Sequence, residues 1–249
     1  METKQYVALK LKGPLMSWGG HTTEHERPTL DFPTLSAVAG LLGACFGVGR
    51  YDFENRRAIL NGFRYAARLD MQKLGGSVLE PNVMVDFHTV QGTKAIKDKK
   101  TNHLPSLADV RELDDSVSQI TRRHYLNDSQ YTLVIEPSKD LAFEEILEAT
   151  SAPVFVVRLG RKICLPSIPL CGKEVQAKSF MDAFSKVEPF AGTVCSPDDE
   201  GAYRFTVVRD IPELGTSRFW QRTVYLHRQE GKDDYDRSSA DGQDAKLNP

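Results

Sequence analysis

The sequence lacks a long hydrophobic run. No apolar stretch approaches the roughly 18 residues that a membrane-spanning helix needs. The first five residues contain no apolar segment of the kind that marks a secretory signal, and they lead directly into a stretch of alternating polarity. We therefore expect a cytoplasmic protein with no membrane partner.

Cysteine is scarce, and its spacing favours neither disulfides nor metal. The four cysteines contain no Cys-x-x-Cys pair: Cys45, Cys164, Cys171 and Cys195. In a long chain without a secretory signal, such cysteines are expected to be reduced thiols. His21 and His25 have a gap that zinc ligands can show, but no cysteine pair accompanies them. We expect no metal site and no cofactor.

Familiar catalytic motifs are also missing. There is no P-loop and no Gly-x-Ser-x-Gly sequence, and the glycines at 47 and 49 follow a helical pattern, where a dinucleotide site needs a strand. Metal-free cleavage of RNA requires an acid and a base. His88 is the best candidate for either role, although a structural or RNA-contacting histidine is the favoured interpretation. The sequence thus predicts a protein that is not an enzyme, with a metal-independent endoribonuclease as the alternative.

The net charge of −2 hides an uneven distribution. Residues 229–249 carry six acids against three bases, so the remaining body is near +1. A nearly neutral body can still bind RNA where its bases are clustered, because local phosphate neutralisation drives such binding. The polar composition of 229–249 predicts a disordered acidic tail.

Residues 13–49 are the most informative stretch of the chain. A strand at 6–11 precedes them, and the apolar spacing from Leu35 to Cys45 predicts a helix. Thr34 or Ser36 can cap the start of this helix, whose free N–H groups would favour an anion. The helix contains several glycines and alanines, which indicates close packing on a sheet or on the backbone of a ligand.

The order of the remaining patterns predicts an α+β fold. A helix at 53–60 is followed by a hairpin of strands at 63–70 and 78–90, then by strands at 131–135 and 153–158 with a helix at 140–149 between them. This strand–helix–strand–strand–helix–strand order is ferredoxin-like, or RRM-like. We expect this domain to cover 1–158 with a long insertion at about 91–129, and a smaller mostly-β lobe to follow at 159–228.

Basic and aromatic residues supply the candidate RNA contacts. Arg27 can direct two N–H groups at a phosphate, or can pair with Glu24 or Glu26. Trp18 can stack on a base, although a core position is favoured. The insertion carries several lysines and ends in a basic-aromatic cluster. The full set of candidates is Trp18, Arg27, Thr34, Ser36, Arg50, His88, Lys94, Lys97, Arg122, Arg123, Arg161 and Lys162.

Several of these motifs together resemble a known family. They are Gly13-Pro14-Leu15-Met16-Ser17-Trp18-Gly19, Arg27-Pro28-Thr29, Phe32-Pro33-Thr34-Leu35-Ser36, Leu41-Leu42-Gly43-Ala44-Cys45, Asp86-Phe87-His88-Thr89-Val90, Leu159-Gly160-Arg161-Lys162, Arg209-Asp210, Arg218-Phe219 and Arg222. In this order, over roughly 4–228, they resemble the CasD family of type I-E CRISPR Cascade subunits, within the RAMP superfamily.

The resemblance implies a function in antiviral defence. CasD subunits hold the 5′ handle of the CRISPR RNA, contact the backbone and large subunits of Cascade, and meet target DNA only through the complex. Their insertion is a thumb pressed against the RNA. A related type I-C subunit cuts precursor RNA with a Tyr and a Lys-His pair, but this sequence contains no Lys-His dipeptide. The resemblance therefore implies a non-catalytic ribonucleoprotein subunit.

Overall fold

The structure of the protein is a computed structural model that describes residues 2–20, 22–23, 25–74, 77–79, 82–93, 113–189, 191–214 and 218–229. Its elements are, in chain order, β1 (Lys4–Lys12), β2 (Leu15–Met16), β3 (Glu26–Arg27), α1 (Leu35–Cys45), α2 (Phe53–Asn61), β4 (Phe63–Asp70), β5 (Gln72–Leu74), β6 (Ser77–Leu79), β7 (Asn82–Thr93), β8 (Leu113–Asn127), β9 (Gln130–Pro137), α3 (Phe143–Ser151), β10 (Lys173–Ala177), α4 (Phe180–Ser185), β11 (Gly192–Ser196), β12 (Arg204–Pro212) and β13 (Phe219–Gln229). Among these residues no helix is long and apolar enough to cross a membrane.

A seven-stranded sheet in the order β10-β1-β9-β4-β11-β13-β12 forms the centre of the protein, and its pairs are antiparallel. Strand β1 lies inside the sheet and is covered on both faces. Val7 and Leu9 belong to the main core cluster together with residues of α1 and α3. Tyr6 and Ala8 belong to a second cluster with residues of α4. The alternation at 6–11 therefore marks two buried faces of unequal size.

Helix α1 begins as its sequence predicts. The side chain of Thr34 accepts a hydrogen bond from the backbone N–H of Ala37 at 3.2 Å, which confirms its capping role. Val38, Leu42 and Cys45 are buried in the main core cluster. The glycines give a different result, because a Cβ added at Gly40 would meet no atom within 4 Å. The small residues of α1 do not all serve close packing within the chain.

A second sheet carries several of the predicted RNA-contacting residues. Strands β7 and β8 form a long antiparallel ribbon, and β2 and β3 pair with β8 near its base. The β3–β8 pairing is parallel, with Glu26 opposite Arg122 and Arg27 opposite Arg123. This sheet brings together residues that are about a hundred positions apart in the sequence.

The expected pairing of 63–70 with 78–90 is wrong, although the short strands β5 and β6 pair in antiparallel orientation, with Leu74 opposite Ser77. Strand β4 pairs with β9 and β11, whereas β7 pairs with β8. The partner of β7 thus comes from the predicted insertion, which has no regular alternation of apolar and polar residues. The ribbon is held at its base, where Tyr125 and Leu126 of β8 are buried in the main core cluster.

The strand expected at 153–158 is also absent from the structure. The backbone N–H groups of Val154 and Phe155 donate to the carbonyls of Cys45 and Ala44, at 3.0 and 2.9 Å. This segment therefore satisfies the carboxyl end of α1. The place beside β1 is taken by β10, with Val175 opposite Tyr6.

The region after residue 158 shares the central sheet. Strand β10 adds to one side through β1, and β11 to β13 extend the other side through β4. The predicted lobe at 159–228 therefore has no separate sheet of its own among the described residues. Most of the predicted tail and the tip of the predicted thumb lie outside those residues.

Candidate nucleic-acid interface

Two arginines on neighbouring strands form the centre of the candidate interface. Arg27 on β3 lies opposite Arg123 on β8, so their side chains start from the same face of the sheet. Arg27 is exposed, and neither arginine forms an ion pair with an acid in the described part of the chain. We refer to Arg27 and Arg123 as the basic strip.

Glu26, the acid next to Arg27 in the sequence, is bound to two other side chains. Its carboxylate binds the Arg122 guanidinium and the His124 imidazole, each at 3.0 Å. The hydrogen bonds from His124 and from Arg122 lower the pKa of Glu26 below its ordinary value. Because neighbouring residues of a strand point to opposite faces, this ion-pair cluster lies on the other side from Arg123. The alternative pairing of Arg27 with Glu26 is therefore not observed, and Glu24 lies outside the described residues.

Arg161 holds the backbone around the basic strip. Its guanidinium donates to the carbonyl oxygen of Arg27 at 2.6 Å and to that of His124 at 3.2 Å. The guanidinium carbon also lies 4.8 Å from the centroid of the Tyr125 ring, a cation–π contact. Through these hydrogen bonds Arg161 positions the backbone of Arg27. Lys162, the next residue, is exposed.

Gly160 allows this arrangement. Its φ is +96°, and a Cβ at this position would lie 1.7 Å from the carbonyl oxygen of Ser17. The backbone N–H of Ser17 donates to the carbonyl of Leu159 at 3.1 Å, so the two segments are in direct backbone contact. Only glycine fits such an approach without a shift of the backbone.

Unpaired polar atoms line one face of β8. Among the described residues five buried side-chain atoms have no hydrogen-bond partner. One is Trp18 Nε1, and the other four belong to odd-numbered residues of β8: Thr121 Oγ1, Arg123 Nε, Tyr125 OH and Asn127 Oδ1. Alternation along a strand places these residues on one face, the face of the basic strip. Buried polar groups in proteins are normally paired, so this row has unused hydrogen-bonding capacity.

His88 lies on β7 opposite Thr121. Its Nε2 forms a short hydrogen bond with the carboxylate of Asp86, and about a third of its side chain is exposed. Asp86 lies opposite Arg123. The structure therefore brings His88 to the face of the basic strip. His124 is on the opposite face, bound to Glu26.

The start of α1 is already occupied by an anion of the chain itself. The carboxylate of Asp210 accepts from the backbone N–H of Leu35 at 2.8 Å, and Arg222 donates to both of its oxygens at 2.8 Å. An anion of the chain therefore takes the N–H of Leu35, and contact of Thr34 and Ser36 with a phosphate stays a prediction. The Ser36 hydroxyl lies 3.2 Å from that of Thr34.

The remaining candidates lie elsewhere. Trp18 is only 2% exposed and packs edge-on against Tyr131 with ring centroids 5.6 Å apart, as the core alternative expects. Arg50 is exposed beyond the end of α1, and its carbonyl accepts from Arg56 at 2.9 Å. Lys94 and Lys97 lie outside the described residues.

Sequence reasoning missed the partners that organise these residues. Tyr65 donates to the carbonyl of Pro33 at 2.7 Å and accepts from Arg222 at 2.6 Å. Nothing local marks Tyr65 for this role, since Arg222 is 157 positions away. The pairing of Glu26 with His124 was equally invisible, because it depends on the parallel register of β3 and β8.

Fold and site together define the class: an α+β protein on an antiparallel sheet, with an arginine-bearing ribbon and no cluster of metal ligands in its described portion. The chain belongs to the family described as CRISPR-associated protein (Cas_Cas5), whose model matches residues 6–231. This match confirms the family resemblance of the sequence motifs. The ribbon with its arginines is therefore a surface of a member of this family.

Relatives of known identity cover nearly the whole chain. The chain is 31% identical over 228 residues to the CRISPR system Cascade subunit CasD of Escherichia coli (strain K12), spanning 90% of this chain and 96% of that protein. A chain of a solved CRISPR RNA-guided surveillance complex superposes with a TM-score of 0.64 and 25% identity, over 93% of this chain and 96% of that one. A crystal structure of a Cas protein, at a TM-score of 0.58, 22% identity and coverages of 91% and 96%, supports the fold alone.

Proposed function

We propose that the chain is a non-catalytic RNA-binding subunit of a type I-E Cascade complex. In this function it holds the 5′ handle of the CRISPR RNA and supports assembly with the backbone and large subunits. Target DNA is met only through the complex. The relationship to a Cascade subunit of Escherichia coli supports this proposal along almost the full length of the chain.

The observation that carries the proposal is the pairing of Arg27 with Arg123. Two guanidinium groups on one face of the sheet repel each other, and Asp86, the acid opposite Arg123, is hydrogen-bonded to His88, so a further anion between the arginines would lower the free energy. Phosphate suits this position, because a guanidinium presents a planar fork of donors to phosphate oxygens.

The strand order supports a ferredoxin-like core. With β1, β4, β9 and β10 numbered one to four, their order in the sheet is four, one, three, two, and helices follow the first and third strands. In this interpretation the β7–β8 ribbon is the base of a thumb. Fold alone does not establish RNA binding, which rests on the strip.

The positions of the two histidines favour binding over cleavage. Cleavage without a metal needs an acid and a base on one phosphate. His88 and His124 lie on opposite faces of the ribbon, and His124 is engaged by Glu26. The Asp86–His88 pair favours endoribonuclease activity as the second candidate, because a carboxylate can orient a histidine base.

A gel-shift titration tests the RNA-binding proposal. A repeat-derived handle RNA is mixed with the chain, alone and with its partner subunits, and complex assembly is followed in parallel. The double variant Arg27→Gln with Arg123→Gln is expected to lower affinity about tenfold or more and to reduce the salt slope by roughly 1.4, at about 0.7 per phosphate contact on a single strand. Arg57→Gln, an exposed arginine on α2, is the matched control. Assembly of RNA-bearing Cascade without this chain would contradict the proposal.

A cleavage assay separates the second candidate. Purified chain is incubated with repeat RNA in EDTA and compared with His88→Ala. No cleavage is expected for either protein. Clean cleavage by the original chain that disappears in His88→Ala would replace the binding proposal with the endoribonuclease.

A further inference from the structure

A second basic surface lies outside the ribbon. A groove of about 880 Å³ separates the segment 20–34 from the hairpin of β12 and β13. Residues on its hairpin side include Arg204, Arg209 and Trp220, and Phe32 lines the opposite wall. None of these four was among the candidate site residues of the sequence.

The register of the hairpin explains which side chains face the groove. Arg204, Thr206 and Val208 lie opposite Leu226, Val224 and Arg222, all on one face. Arg209, opposite Gln221, starts on the other face, but it lines the edge of the groove next to the register shift that follows it. The floor is fixed by the buried pair of Asp210 with Arg222, whose opposite charges cancel. The groove is therefore a built feature with a rigid base.

The groove carries positive charge in addition to the neutral pair of Asp210 with Arg222. Arg204 and Arg209 are exposed and form no ion pair with an acid among the described residues. They are separated by about 16 Å along β12, at the usual rise of a strand. Asp31 is the other acid beside Asp210 on the groove wall. The complementary ligand is an extended anion.

Trp220, opposite Ile211, supplies a flat apolar surface at the end of the groove beyond Arg209. It is 61% exposed, whereas the other tryptophan, Trp18, is 2% exposed. Strand alternation places Trp220 on the same face as Arg222. An exposed indole beside unpaired arginines is the combination that binds the bases and phosphates of a single strand.

We propose that this groove holds a short single-stranded stretch of RNA, with a base stacked on Trp220 and phosphates near Arg204 and Arg209. The choice of RNA rests on the proposed function. Residues 30–34 support continuity, because they line the groove and begin three positions after Arg27 of the basic strip. An apolar protein segment in the groove would bury two guanidinium groups without acids.

Tryptophan emission of the full-length chain tests the proposal. A repeat-derived single-stranded RNA is titrated while emission is recorded, and anisotropy of the labelled RNA measures binding independently. Stacking is expected to quench the emission of Trp220. The quench is expected to disappear in Trp220→Phe, which retains the buried Trp18 as an internal reference.

Affinity measurements complete the test. Trp220→Ala is expected to weaken RNA binding about tenfold, within the range of base stacking on an aromatic side chain. Its matched control is Phe205→Ala, on the other face of the same hairpin and 68% exposed. Arg204→Gln with Arg209→Gln is expected to lower the salt slope by roughly 1.4. Lys173→Gln with Lys178→Gln, on exposed positions at and just after β10, is the charge control.

The outcomes separate the groove from the proposed function. If RNA binds with unchanged Trp220 emission and unchanged affinity in the groove variants, the groove proposal is overturned and the ribbon proposal stands. If only partner subunits shield Trp220, the groove is a protein interface and the proposal is equally wrong. If the original chain binds no RNA in either assay, both proposals fail.

Discussion

The carboxylate of Asp210 accepts a hydrogen bond from the backbone N–H of Leu35 at 2.8 Å, across 175 positions of sequence. Leu35 is the first residue of α1, and Asp210 lies on β12 near the end of the chain. A negative charge is stabilised at a helix amino terminus by the free N–H groups and the helix dipole. The contact therefore ties the C-terminal hairpin to the helix that covers the central sheet.

Removal of the Asp210 carboxylate is expected to destabilise the protein strongly. Asp210→Ala leaves the largely buried Arg222 without its acid, and breaking such a pair costs about 3 kcal/mol or more. Equilibrium unfolding in urea measures the loss. Asp198→Ala removes one exposed partner of Arg64, which keeps Glu136, and is expected to cost less than about 1 kcal/mol. Equal losses in the two variants would contradict the role of Asp210.

Gly160→Ala is expected to displace the contact that holds Arg161. The new Cβ would meet the carbonyl oxygen of Ser17, and φ is already +96°. A loss of at least about 2 kcal/mol in thermal unfolding is expected, with weaker RNA retention. Gly201→Ala is the control, since its φ is +81° but no atom lies within 4 Å of its Cβ. A similar loss at Gly201 would show that backbone strain alone accounts for the effect.

Thiol reactivity is expected to single out Cys171. Burial raises the pKa of Cys45 to about 12 and that of Cys195 to about 12, so neither forms thiolate readily at pH 8. Burial also raises the pKa of Cys164. Cys171 is exposed. Titration of the native chain with Ellman's reagent is expected to show one fast thiol, which Cys171→Ser removes and Cys195→Ser leaves. A fast phase that survives Cys171→Ser would refute this assignment.

The stability of the ribbon is expected to depend on pH through Glu26. Hydrogen bonds from His124 and Arg122 lower the pKa of Glu26 in the folded protein. Because the pKa of Glu26 is lower in the folded state, its ionised carboxylate stabilises the folded protein at pH values above the unfolded pKa of roughly 4.3. This stabilisation is lost as the pH falls through the folded pKa. Carboxyl NMR titration of Glu26 measures the shift directly. His124→Ala is expected to move the pKa of Glu26 upward, and an unchanged value would contradict the contact.

The sequence predicted the elements that bury an apolar face. The alternation at 6–11 and the helical spacing of Leu35–Cys45 correspond to β1 and α1, and Thr34 caps α1 as expected. These predictions succeed because their causes are local. One is the spacing of apolar side chains along the segment, and the other is a hydroxyl that accepts a hydrogen bond from the backbone N–H three residues later. The family resemblance was equally accessible, since it depends on the order of short motifs.

Pairing between distant segments was beyond the sequence. The partner of β4 is β9, not the next extended run, and the segment at 153–158 bonds to the end of α1 rather than to the sheet. Strand propensity is the same for either partner, so the choice depends on which edge remains free in the folded chain.

The sequence by itself determined the family, the α+β class, the start of α1 and the presence of basic clusters. Only the tertiary structure decided which charges remain unpaired. Arg161 is used on carbonyls and Arg222 on Asp210, whereas Arg27 and Arg123 lie side by side through the parallel register of β3 and β8. Charge is a property of each residue, but its neutralisation depends on neighbours that folding brings within a few ångströms.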